Sequence, residues 1–138
     1  MLRKRLFDCI SDMKHIPSKT RSNIFFLIPL GLAVYFNIYA LSVILGFVII
    51  GSLAYHRANE KKRKIQDEIF AIFLMTYNLY LCFLGNFTQP YFIVAMLWVI
   101  VALWLYFNET KSNYWRNHSL WHIASAIITS LCILVYIL

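Results

Sequence analysis

Apolar residues run through this chain in long unbroken stretches, and every ionisable acid, base or imidazole falls between them. Lys, Arg, Asp, Glu and His occur only within 1–21, 56–68 and 109–122. Residues 22–55 and 69–108 contain none, runs of 34 and 40 positions, and a last run of 16 closes the chain at 123–138. A helix rising 1.5 Å per residue needs about 20 residues to cross a hydrocarbon core of roughly 30 Å. The longer run therefore predicts two spans, at 67–84 and 91–107, parted by the turn-forming Gly85-Asn86-Phe87-Thr88-Gln89-Pro90. The final run makes one span, 118–137, when it starts near His118. As a single helix 22–55 would be about 50 Å long, beyond what tilt accommodates. Two shorter helices, 22–36 and 39–57 with a turn at Asn37, are expected instead.

Charge decides between four spans and five. There are 13 Lys+Arg against 6 Asp+Glu, a formal +7. Five spans place the N-terminus and the two charged loops on one side, with all 13 basic residues. Four spans would move six of them across. The positive-inside rule thus favours an all-α integral membrane protein, a bundle of about five transmembrane helices with a cytoplasmic N-terminus. Composition agrees: 61% hydrophobic and only 14% charged, where soluble domains carry roughly a quarter charged residues. A soluble enzyme, a disordered chain and a nucleic-acid partner are excluded on that ground.

Before the first span, Leu2, Leu6, Ile10 and Met13 recur at helical spacing among Arg3, Lys4 and Arg5. That pattern predicts a basic amphipathic segment, 1–21, at the membrane surface, its helix ending at Pro17. No small-residue cleavage site marks a signal peptide. Tyr and Trp cluster near the expected span ends, as interfacial anchors do. Cys9, Cys82 and Cys132 have no metal spacing; Cys82 and Cys132 fall at similar depth, where packing is expected over a disulfide.

Polar groups at membrane depth mark functional sites by default. Ser52 and His56 are four apart at the end of the second span, Asp67 opens the third, and His118 and His122 are four apart at the start of the fifth. Residues four apart share a helix face, and the five-span topology brings all these ends to the cytoplasmic side. Three imidazoles from two helices, with a fourth position open, make a catalytic zinc site. Each piece also has a plain reading: a packing serine, an interfacial histidine, Asp67 with Glu68 as a helix cap, a chance His-x-x-x-His. Together they carry more than apart. His15 lies outside the set.

Ser52-Leu53-Ala54-Tyr55-His56, Asp67 and His118-Ser119-Leu120-Trp121-His122 resemble the signature of the CREST superfamily of membrane metal-dependent hydrolases. That group comprises alkaline ceramidases, Per1-type lipid remodelling proteins and adiponectin-type (PAQR) receptors. A further echo lies at Arg21-Ser22-Asn23. The resemblance implies a zinc-dependent hydrolase of a lipid amide, ceramidase-like, acting on a lipid substrate. It implies His56, His118 and His122 as zinc ligands, Asp67 as the group that contacts the metal's water and shuttles its proton, and Ser52 steadying that water or the oxyanion. The chain is a shortened form, since family members usually have seven spans and the region between Asp67 and His118 holds only two. The missing helices remove wall from the lipid cavity, which a homo-oligomer could restore. No calcium site is expected. Two other functions compete: a non-catalytic, metal-stabilised membrane protein with a receptor-like or assembly role, and a haem protein with histidine axial ligands.

Overall fold

The computed structural model describes residues 22–55, 60–110 and 112–138, apart from the side chains of 53–55, 60–64 and 67. The amphipathic segment expected at 1–21 lies outside the described residues, as does His56. The described chain is all helical, with no strands. A 3-10 turn, Ser22–Phe26, leads into α1 (Leu27–Tyr35). There follow α2 (Tyr39–Tyr55), α3 (Glu60–Leu84), α4 (Tyr91–Phe107) and α5 (Tyr114–Ile137).

Two helices start earlier than the charge pattern suggested. The basic stretch before Asp67 belongs to α3, which opens at Glu60. Glu, Lys, Arg and Gln are good helix formers, and no Gly or Pro interrupts 60–84. Likewise α5 opens at Tyr114 and not near His118, adding a turn below the histidines.

The α1–α2 turn falls at Asn37, which adopts a left-handed φ of 58°. There Asn37 N donates to the Val34 carbonyl (3.1 Å) and Ile38 N to the Ala33 carbonyl (2.8 Å). This is a Schellman cap with Asn in its left-handed position, which Asn tolerates better than other side-chain-bearing residues. The same cap ends α3. Asn86 has φ 50°, its N–H donates to the Phe83 carbonyl (3.1 Å), and Phe87 N donates to the Cys82 carbonyl (2.9 Å). Beside it Gly85 crosses α5 so closely that a Cβ would lie 2.1 Å from the Val135 carbonyl oxygen. Only glycine fits that crossing.

Helix α5 is the hub: α4, α3, α1 and the 3-10 turn all pack on it, while α2 packs against α1 and α3. Small residues permit the close approach. Ala124, Ala126, Thr129 and Cys132 are buried along α5, and Ala95 and Ala102 along α4. One apolar cluster joins Phe26, Leu41, Leu45, Leu74, Leu81 and Ile133 across the first half of the bundle. A second joins Cys82, Ala102, Ala124, Ile128 and Cys132. Both described cysteines are free thiols in the second cluster, in keeping with packing. An Asn78 Nδ2 to Thr129 Oγ1 hydrogen bond (3.0 Å) ties α3 to α5 within this core.

Among the described residues one helix, α5, is long and apolar enough to cross a membrane. The other apolar stretches are shorter, the longest of 17 residues, or about 25 Å.

Candidate functional site

The α4–α5 loop is built to present a carboxyl group to the start of α5. The Asn108 carbonyl, one of those a helix end leaves without an intrahelical partner, accepts from both Asn113 Nδ2 and Asn117 Nδ2, each at 3.1 Å. Thr110 N donates to Asn113 Oδ1 at 2.7 Å. So clamped, the loop sets Glu109 Oε1 3.5 Å from His118 Nδ1. Tyr114, one turn earlier, stacks on the His118 ring with centroids 5.1 Å apart and planes at 18°.

His118 and His122 share a face of α5, and their Nε2 atoms stand 3.1 Å apart. Two tautomer patterns suit this. With a proton on His118 Nδ1 directed at Glu109, His118 Nε2 is an acceptor, and a proton on His122 Nε2 completes a hydrogen bond. With both Nε2 lone pairs turned outward, the pair forms one edge of a ligand set. Two nitrogens 2.0–2.1 Å from one zinc at a tetrahedral angle lie about 3.3 Å apart. The observed edge is close to that value, and a carboxyl group on the far ring nitrogen is the usual partner of a metal-bound histidine.

His122 is 6% exposed, with the Phe26 ring edge-on to it at 5.8 Å. Ser52, on α2, reaches the same place. A cavity of about 20 Å³ lies among Ser52, His122, Phe26, Phe70 and Trp121, large enough for one water. The Ser52 hydroxyl accepts a hydrogen bond from Asn23 Nδ2 on the 3-10 turn. Its own proton meets no acceptor among the described residues. Asn23 is 3% exposed, and its amide oxygen also finds no partner there.

Of the five residues expected from the sequence, Ser52, His118 and His122 come together at one end of the bundle. Asp67 lies on α3 at that same end, its side chain outside the described residues, and His56 lies outside them altogether. Among the described residues no group of three or more His, Cys, Asp and Glu could hold a metal. Two of the three residues expected as ligands, His118 and His122, bring their Nε2 atoms within 3.1 Å of each other. Three further polar groups make contacts that the sequence pattern does not show. Glu109 comes beside His118 through the fold of the α4–α5 loop, which no spacing in the sequence encodes. Asn23 was visible only as part of an echo. Glu68, read as a cap for α3, accepts a hydrogen bond from Tyr106 Oη at 2.8 Å, which links α3 to α4.

Trp121 forms the partition behind the cavity, its ring 5.3 Å from that of His122 and 6.2 Å from that of Tyr106. Beyond it opens a cleft of about 410 Å³ between α3, α4 and α5. Cleft and cavity share Ala71, Leu74, Trp121 and Ser125 as walls.

Compared with protein-family models, with curated proteins and with solved structures, the chain matches none.

Proposed function

We propose that this chain is a membrane-embedded, zinc-dependent hydrolase of a lipid amide, a shortened protein of the CREST type. In this reading the five helices span the membrane with the N-terminus cytoplasmic, and the site faces that side. Support for the bundle comes from its outer surface. Ile24, Ile50, Ile72, Phe83, Ile100 and Trp104 are among many large apolar side chains that are exposed, on a scale that in soluble proteins marks an interaction or membrane surface.

The observation that carries the proposal is the 3.1 Å approach of His118 Nε2 to His122 Nε2, with His122 and Ser52 together lining a water-sized cavity. His118 and His122 would hold the zinc with His56, and Glu109 would orient His118. When bound, the metal supplies a Lewis acid that polarises the acyl carbonyl and acidifies water. The chain's own groups do the rest. Asp67 takes the proton of the water that attacks the acyl carbon, then returns it to the amine nitrogen as the C–N bond breaks. Ser52, held by Asn23 on its acceptor side, turns its O–H toward the oxygen on which charge develops. Phe26, Phe70 and Trp121 keep bulk water from the cavity.

One observation favours a second reading. His118 and His122 sit near the start of the helix on which α1, α3 and α4 all pack, and Glu109 in the loop that leads from α4 to it, so a metal there would also staple the bundle without catalysis. Hydrolysis of a labelled N-acyl lipid by wild type and by Asp67→Asn separates the two. Turnover by wild type that Asp67→Asn abolishes supports the hydrolase. A wild type that holds zinc without turnover favours the staple.

A further inference from the structure

Helices α3 and α5 run in the same direction, and the contacts between them repeat like rungs. Asn78 Nδ2 on α3 donates to Thr129 Oγ1 on α5 at 3.0 Å. Further along, just past the end of α3, a Cβ on Gly85 would lie 2.1 Å from the Val135 carbonyl oxygen, so the two backbones touch there. Cys82 and Cys132 stand between these rungs. They lie four and three residues beyond Asn78 and Thr129, and three short of Gly85 and Val135. Steps of three and four keep residues on one helix face, and near-equal steps on parallel helices keep the partners level. Both cysteines are 3% exposed and belong to one apolar cluster. Their thiols lie close enough to interact as donor and acceptor. The sequence alone favours packing for this pair, because it gives no register between the helices. The two rungs supply that register, and backbone contact brings facing Cα atoms toward the roughly 4.4–6.8 Å that a disulfide spans.

The geometry points to Cys82 and Cys132 as a disulfide-forming pair, which on oxidation ties α3 covalently to α5 at the end of the bundle away from His118 and His122. The inference takes from the proposed function only that this end faces away from the cytoplasm, the side on which thiols are oxidised. Cys82 is three residues from Gly85, about 4.5 Å along the helix, so the pair lies within a turn of that surface. The oxidant is a low-molecular-weight or protein disulfide. Before α5 docks, the Cys82 thiolate attacks it, forming a mixed disulfide and releasing one thiol. As α5 docks, the Cys132 thiolate attacks the Cys82 sulfur, the mixed bond breaks and the second oxidant thiol leaves. The pair gives up two protons and two electrons, and the oxidant's disulfide is reduced to two thiols. The tether has a consequence at the other end of both helices. There α3 carries Asp67 and the cavity residue Phe70, and α5 carries His118 and His122. Fixing the slide and rotation of one helix on the other holds those positions in register.

The test counts free thiols in the full chain, expressed in a cell membrane, trapped with an alkylating reagent before lysis and then denatured. The chain has three cysteines. The wild type should show one free thiol, whereas Cys82→Ser and Cys132→Ser, each with one cysteine fewer, should show two. Peptide mapping without reduction should recover Cys82 joined to Cys132. Reducing the purified wild type should lower its melting temperature by about 5–15 °C, the loss of a cross-link that closes a long loop, and should not move that of either variant. Cys82→Ala and Cys132→Ala replace the serine variants should those not fold, and the comparison of oxidised with reduced wild type needs neither. Three free thiols in the wild type, both as isolated and after incubation with oxidised glutathione, would overturn the pair. So would a link from Cys9 to either residue, or a glutathione adduct that persists. Three thiols as isolated that close only when oxidised glutathione is added would keep the pair and overturn the side assigned to this end. Zinc content and hydrolysis of an N-acyl lipid are measured on the same preparations. A Cys82–Cys132 link in protein without zinc or turnover stands while the hydrolase reading falls, and zinc and turnover with three free thiols that oxidised glutathione does not close overturn the link while leaving the hydrolase.

Discussion

The Asn23–Ser52 pair gives an asymmetric prediction. Asn23 Nδ2 donates to Ser52 Oγ, both residues are buried, and the Asn23 amide oxygen is already without a partner among the described residues. Ser52→Ala removes the acceptor and strands the amide nitrogen too, leaving two orphaned groups on one buried side chain. An unsatisfied buried donor costs about 1–3 kcal/mol, so Ser52→Ala should destabilise by that amount. Asn23→Leu is close in shape and removes the donor together with the orphaned oxygen. Losing the hydrogen bond costs about 1 kcal/mol, offset by relief of the orphan, and the Ser52 hydroxyl can turn to a carbonyl of its own helix. The net change should be within about 1 kcal/mol of zero. In the double variant Ser52→Ala should cost little, because the stranded amide is gone. The coupling is then about 1–3 kcal/mol, the cost of the donor that Ser52→Ala strands only when Asn23 is present. Reversible unfolding of the four proteins in one detergent checks this. If Asn23→Leu proves more costly than Ser52→Ala, or if the two effects simply add, the reasoning is refuted.

Other substitutions test separate parts of the account. Gly85→Ala places a Cβ against the Val135 carbonyl at 2.1 Å and should cost about 1–3 kcal/mol as overpacking; an unchanged melting temperature would mean that α3 and α5 do not cross there. Asn37→Gly should be nearly neutral while Asn37→Val, forced to the left-handed φ of 58°, should lose about 1–2 kcal/mol, and equal melting temperatures would argue against the α1–α2 cap. Glu109→Gln should weaken zinc binding by roughly 10–100-fold, as loss of a metal ligand's outer partner does. Competition with a chelating dye measures this, and full affinity would remove Glu109 from the site.

Much of the fold was legible because charge and apolar residues alternate in blocks. The two turns at Asn37 and at 85–90 fall where the runs had to break, and each is closed by an asparagine in the left-handed region. Helix starts were harder to place. Periodicity and charge give a span's apolar part, yet Glu60 to Asp67 and Tyr114 to Asn117 are helical as well, because helix propensity does not stop at a polar boundary. The i, i+4 spacing located His118 and His122 on one face, and topology alone brought Ser52 beside them. Their outer partners were not legible. Glu109 reaches His118 through a loop shaped by the side chains of Asn113 and Asn117, and Asn23 reaches Ser52 from a turn that belongs to neither helix. Contacts of that kind follow from tertiary geometry, for which a single sequence carries no spacing rule.

The metal decides the central claim. Elemental analysis of the purified full chain, wild type beside a His118→Ala, His122→Ala double variant, should find stoichiometric zinc in the first and none in the second, with both still helical by circular dichroism. Wild-type protein folded without zinc after preparation in zinc-containing buffer, or zinc retained at full stoichiometry by the double variant, would contradict the account.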